Sequence, residues 1–322
     1  MAIASLGNGS RSPRLAAVDV GRGVAIVAMV AYHTAFDLSA NRLIATDVAS
    51  DLRWKIFARL IAGTFLFLVG VSLVLATRNG LNRGAFLRRL AFVAAGAVLV
   101  SVGTWWFDPS TFVFFGILHE IAVASVLALP FLALPAWLVA LVAAAIIAAP
   151  WFLANPFFDA PAFWWLGLSS EPPVTVDYVP IFPWFGVVLA GIVGGRLLVI
   201  HGGALWNWRP EDAVSRALMR AGRWSLAIYL IHQPLIVAAV YAFTFFVPPS
   251  ETVVREGFTA QCVSACSSDG RSKQECTSLC GCMFENLYGT DLFAMKSMAQ
   301  MSPEQVERWD GIVDRCRMPI PP

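Results

Sequence analysis

The sequence predicts an all-α protein: a polytopic bundle of about seven transmembrane helices, then a small C-terminal helical domain stapled by disulfides. Three observations carry this. Of 322 residues, 58% are hydrophobic and only 14% charged, against roughly 25% charged in soluble domains. A single soluble core cannot hide that much apolar surface, so lipid must solvate much of the chain. The apolar residues fall in runs of about 20, the length that crosses the hydrocarbon core, and all six cysteines follow the last run.

The runs cover 15–38, 57–76, 86–104, 112–132, 136–153, 180–200 and 226–247. The first is too long for a secretory signal peptide, contains Asp19 and Arg22, and has further spans behind it. The fifth is the shortest, and Pro150 closes it. None alternates apolar with polar residues, as outer-membrane barrel strands do. No internal repeat or low-complexity segment is visible. No long run of one charge points to nucleic acid, so none is expected as a partner.

Charge placement orients the bundle. The N-terminal tail has Arg11 and Arg14. The second-to-third connection has Arg78, Arg83, Arg88 and Arg89 and no acid. The sixth-to-seventh has Arg196, Arg209, Arg216, Arg220 and Arg223 against Glu211 and Asp212. The fifth-to-sixth has Asp159, Glu171 and Asp177 and no base, while the first-to-second is mixed. The positive-inside rule then places the N-terminus in the cytoplasm, and seven crossings of the bacterial inner membrane put the C-terminus in the periplasm. The expected domains are 1–248, in the membrane, and 249–322, periplasmic.

The cysteines agree with that side. Six of them in a short polar tail read as a disulfide framework outside the cytoplasm. Residues four apart share a helix face. Two antiparallel helices bearing Cys262-x3-Cys266 and Cys276-x3-Cys280 therefore pair Cys262 with Cys280 and Cys266 with Cys276. Cys282 is left for Cys316, carried back by a helix that starts at Ser302-Pro303-Glu304 and runs to about Arg315. The rival, a zinc site, is disfavoured because the tail has no histidine; no metal is expected.

Ionisable groups inside a span are costly and functional by default. The first span holds Asp19, Arg22, His33 and Asp37. At 100° per residue they fall within about 60° of arc, one polar stripe that must face the bundle or a watery cavity. The plain alternative is a structural Asp19–Arg22 pair with His33 as a satisfied core histidine. His119 and His232 lie in the fourth and seventh spans, where each serves either a helix–helix hydrogen bond or the same cavity. His201 sits in a basic connection and reads as solvated. Trp105, Trp106, Trp151, Trp164, Trp165 and Trp184 crowd the outer side. An interfacial belt accounts for most of them; stacking on a sugar ring, with Asp159 or Asp177 on its hydroxyls, is the sharper reading.

Several pieces together resemble the bacterial branch of the heparan-alpha-glucosaminide N-acetyltransferase catalytic-domain family. They are Arg14-x4-Asp19-x2-Arg22-Gly23 running to His33, Phe65-Leu66-Phe67-x2-Gly70, Arg88-Arg89, Phe115-Gly116-Ile117-Leu118-His119-x-Ile121-Ala122, Asp177-Tyr178-x-Pro180-x2-Pro183-Trp184, and Ser225-Leu226-x2-Tyr229-x2-His232-Gln233-Pro234. The Arg22-x10-His33 spacing is also similar to that of the acyltransferase type 3 family. The tail after Val247 resembles nothing recognised.

The resemblance implies acetyl transfer from cytoplasmic acetyl-CoA, as co-substrate, to an amine or hydroxyl of a sugar or glycan across the membrane. Asp19, Arg22, Arg88, Arg89 and Arg223 are then the residues for the polyanionic coenzyme. His33 serves as base or nucleophile with Asp37 orienting it, His119 and His232 polarise the thioester carbonyl, and Asp177, Tyr178 and Trp184 hold the acceptor. The competing readings are a transporter or proton/anion pathway, and a non-enzymatic scaffold using its outer domain. Besides lipid and acceptor, a homodimer is a compatible assembly.

Overall fold

The computed structural model describes residues 15–247, 250–268, 270–294 and 301–317; Arg11 and Arg14 lie outside them. Helices make up the architecture, and no strand occurs among the described residues. They are α1 (Ala16–Ala40), α2 (Leu52–Thr77), α3 (Arg83–Phe107), α4 (Ile117–Leu127), α5 (Ala136–Leu153), α6 (Ile181–His201), α7 (Gly203–Asn207), α8 (Ala213–Arg223), α9 (Ser225–Phe246), α10 (Glu251–Ser268), α11 (Lys273–Leu287) and α12 (Pro303–Arg317). Six of these, α1, α2, α3, α5, α6 and α9, are long and apolar enough to cross a membrane. Large apolar side chains such as Leu60, Phe92, Leu141 and Ile231 stay exposed on them, the faces that lipid solvates.

The fourth predicted span is where the helical pattern changes. Residues 112–116 are not helical, and α4 has only 11 residues before a 3-10 turn at Pro130–Leu132. The segment before α6 runs beside this entry and satisfies its backbone. The Val176 N–H donates to the Thr111 carbonyl at 3.0 Å, and the Val179 N–H donates to that of Phe115 at 3.1 Å. The Thr175 hydroxyl donates to the Phe112 carbonyl at 2.8 Å. Irregular backbone survives in such a bundle only when protein supplies these partners. Apolar run length cannot register that, because the partners lie about 60 residues away in sequence.

The chain forms two compact units. The first comprises α1 up to Val30 together with Ala58–Gln233. Its core is built on α2, α4, α5 and α6, with Leu66, Val139, Val188, Leu189 and Ile192 fully buried. Arg196 closes one end of that core: its guanidinium donates to the carbonyls of Phe131, Leu132 and Leu134 at 2.7–2.9 Å.

The second unit comprises Ala31–Phe57 and the chain from Pro234 onward. Its tail holds three disulfides, Cys262–Cys280, Cys266–Cys276 and Cys282–Cys316, the pairing that two antiparallel helices require. The helix expected from Ser302-Pro303 runs Pro303–Arg317 and includes Cys316. A Ser272/Glu275 capping box starts α11. Met283, Leu287, Leu292 and Ile312 form the tail's small core, and the Arg42 guanidinium lies 4.2 Å over the Phe293 ring.

Candidate active site

The first unit contains two polar clusters. One forms where α1, α2 and α8 meet. Asp19 is 5% exposed; its Oδ1 accepts from Arg22 Nη1 at 3.3 Å and its Oδ2 from Arg223 Nε at 3.2 Å. Arg22 Nη2 also donates to the Ser72 hydroxyl, which donates on to the Leu68 carbonyl. Arg89 of α3 lies close enough to feel the charge of Arg22. One carboxylate therefore binds two guanidiniums, with Arg89 near the first of them.

Glycine makes this cluster possible. A Cβ on Gly23 would lie 2.0 Å from the Leu218 carbonyl oxygen, and one on Gly222 would lie 1.8 Å from that of Asp19. Helices α1 and α8 thus meet backbone to backbone, and the residue next to each glycine, Arg22 or Arg223, reaches the same carboxylate. Arg88 and Arg89 are both exposed.

The second cluster surrounds the N-terminus of α4. Asp177 Oδ2 accepts from the Ile117 N–H at 2.9 Å and from the Tyr229 hydroxyl at 3.4 Å. It ties the start of α4 to α9. Burial pushes the Asp177 carboxyl above the ordinary aspartate range, opposed by those two donors. Gly116 is needed for the approach, since a Cβ there would lie 2.2 Å from Asp177 Oδ2.

His119 is held at both ring nitrogens. Nδ1 accepts from the Gly116 N–H at 3.2 Å, so the neutral ring carries its proton on Nε2. Nε2 then donates to Ser101 Oγ at 3.2 Å, and that hydroxyl donates to the Val113 carbonyl at 2.5 Å. In His232 the arrangement is reversed: Nδ1 donates to the Tyr229 carbonyl at 2.7 Å, making Nε2 the basic nitrogen of the neutral ring.

A family model for the catalytic domain of heparan-alpha-glucosaminide N-acetyltransferase matches residues 14–234. The chain belongs to this family. It is in general terms a membrane acetyltransferase, and both clusters lie inside the matched segment. No curated protein and no solved structure matches it.

Other acetyltransferase candidates fall elsewhere. His33 and Asp37 belong to the second unit, beyond Val30 on the same continuous α1. His33 is partly exposed, its ring 5.4 Å from that of Tyr32, while Asp37 is buried. In the first unit, the Tyr178 hydroxyl donates to the Trp164 carbonyl at 2.6 Å, and burial pushes its pKa up to about 12. Trp184 packs on the main core.

Asp159 is taken up by its own loop. It accepts from the Ser169 and Ser170 hydroxyls at 2.6 Å and from the Ser170 and Glu171 N–H groups. These bonds hold it down to about 2.

Four participants escaped the sequence reading. Ser72 and Ser101 are small hydroxyls in apolar runs and give no charge signal; Tyr229 carries the family resemblance, but its bond to Asp177 has no local sign. Glu120 does give one. It is an acid inside a predicted span, fully buried, and neither carboxyl oxygen has a hydrogen-bond partner. The rule that singles out the α1 stripe applies to it equally.

Proposed function

We propose that the chain transfers the acetyl group of cytoplasmic acetyl-CoA to an amine or hydroxyl of a sugar or glycan on the periplasmic side of the bacterial inner membrane. The observation that carries this reading is the Asp19 cluster. Asp19 gathers the guanidiniums of Arg22 and Arg223, with Arg89 near Arg22, within the family-matched segment. Arginine forks suit phosphate oxygens, so the donor set fits the polyanionic end of coenzyme A, with Arg88 at its rim.

His33 acts as general base on the acceptor or as the nucleophile that carries the acetyl group. On either route the thioester C–S bond breaks and an acetyl–nitrogen or acetyl–oxygen bond forms. The acceptor's proton passes to an imidazole, and coenzyme A departs as the thiol. Asp37, one turn on, orients His33. His232 offers Nε2 for proton transfer, while His119 holds the entry to α4. Asp177, Tyr178 and Trp184 belong to the acceptor side. The cysteine-rich tail after residue 248 lies on the periplasmic side.

The test uses the full chain in lipid nanodiscs with acetyl-labelled acetyl-CoA and a panel of amino sugars and glycans. Label should reach an acceptor; label remaining on coenzyme A with every acceptor, or lost only to water, overturns the reading. A reporter fused after Pro322 should be active only in the periplasm.

A second reading, a proton or anion pathway, is favoured by α4, a short helix whose N-terminus is buried against Asp177 and Tyr229. Proton-coupled flux in liposomes without acetyl turnover selects it.

A further inference from the structure

Helix α8 does more than reach Asp19. Arg216, Arg220 and Arg223 fall within about 60° of one helix face, one turn or less apart. Arg223 turns to Asp19, while Arg216 and Arg220 remain exposed. No described carboxylate pairs with either of them. Arg216 donates to the Glu211 carbonyl at 2.6 Å. Two acids stand at the helix start: Asp212 accepts from the Ser215 N–H at 2.8 Å as its N-cap, and Glu211 meets Arg216 through its backbone carbonyl. The other side of α8 is fixed against α1 by the close approaches at Gly23 and Gly222. A cationic row therefore leads from the Asp19 cluster to the exposed face, where neither Arg216 nor Arg220 forms an ion pair with a described carboxylate.

We propose that Arg216 and Arg220 form a phosphate-monoester site that binds the 3′-phosphate of coenzyme A. This rests on the acetyl-CoA reading and adds a residue-level specificity to it. The 3′-phosphate is the dianion farthest from the thioester, so it belongs at the outer end of a row whose inner end serves the rest of the polyanion. Two guanidiniums a turn apart can each present a fork to its oxygens. The same chemistry would attract a lipid phosphate, so the test separates the two sources.

The experiment titrates coenzyme A and 3′-dephospho-coenzyme A onto the full chain in nanodiscs, made once with zwitterionic lipid alone and once with added anionic lipid. The native chain should bind coenzyme A about tenfold more tightly than the dephospho form. In Arg216→Gln/Arg220→Gln that preference should fall below about twofold, with dephospho affinity unchanged and the melting temperature kept. Equal binding of both forms by the native chain overturns the site, as does a preference that survives the substitutions. If the substitutions abolish only an effect of anionic lipid, the row is a headgroup site and the proposal fails. If the native chain binds neither form, the acetyl-CoA reading fails with it; binding of both forms alike sinks the phosphate site alone.

Discussion

The Asp19 cluster and the cysteine-rich tail both hold charged side chains together, by opposite means. In the tail, Arg255 pairs with Glu251 and Glu285, and Arg308 with Asp291, all on exposed surface. Water screens such pairs, and they add little; covalent bonds and a small apolar core hold the tail. In the cluster one buried carboxylate is shared by two arginines at a glycine-mediated contact between helices. No covalent link supports it, and charge is left in excess. The lesson is that ion pairs in the tail decorate a fold secured otherwise, whereas those at Asp19 are part of what joins α1 to α8. A bundle that gathers arginines at one carboxylate has a use for them.

That contrast can be broken at several points. The largest effect is expected on chemistry. His33→Ala should lower acetyl transfer by at least about a thousandfold, the scale for loss of a base or nucleophile, with an unchanged melting temperature in detergent. Retained turnover removes His33 from the mechanism.

Next comes Asp19→Ala, which removes the acceptor shared by Arg22 and Arg223 and should cost about 1–2 kcal/mol, since Arg223 is half-exposed, read as a fall in melting temperature. Arg308→Ala in the tail should leave that temperature where it was. Equal effects would erase the distinction between buried and screened pairs.

The tail's own support is tested by Cys282→Ser/Cys316→Ser. This opens a link spanning 34 residues, worth about 3–4 kcal/mol in the chain-entropy account. Limited proteolysis should then cut within the tail while the bundle stays intact. Mass spectrometry of the native, unreduced chain should find three disulfides.

The smallest effect concerns Asp159. Its folded pKa, about 2, lies below the ordinary 3.8. The ionised form is the one favoured by folding, so its contribution is present above pH 3.8 and is lost as pH falls toward 2. The Trp164 indole donates to the Asp159 carbonyl at 2.8 Å, so tryptophan fluorescence should report loosening of this loop over that window. Asp159→Asn should flatten the change.

Six long helices and the disulfide pairing were legible from the chain alone. Hydrocarbon thickness dictates span length, and four-residue spacing dictates which cysteines face each other. The Asp19–Arg22 pair was legible because opposite charges three residues apart in an apolar run share a helix face. The shortening of α4 was not, since it depends on Thr175, Val176 and Val179 reaching residues 111–115. Likewise, nothing in the local pattern around Arg223 or Gly222 announces that they meet Asp19 across 200 residues.

What the sequence by itself determined is the character of each segment: apolar runs suited to lipid, and a polar tail whose cysteines pair with one another. Those are properties of composition and short spacing. Only the tertiary structure decided which charges share a partner, that Asp177 caps α4, and that α8 leaves Arg216 and Arg220 exposed beside the paired Arg223. Each of these is a close approach of backbones or side chains distant in sequence, permitted where a glycine removes one Cβ and closed everywhere else by steric contact.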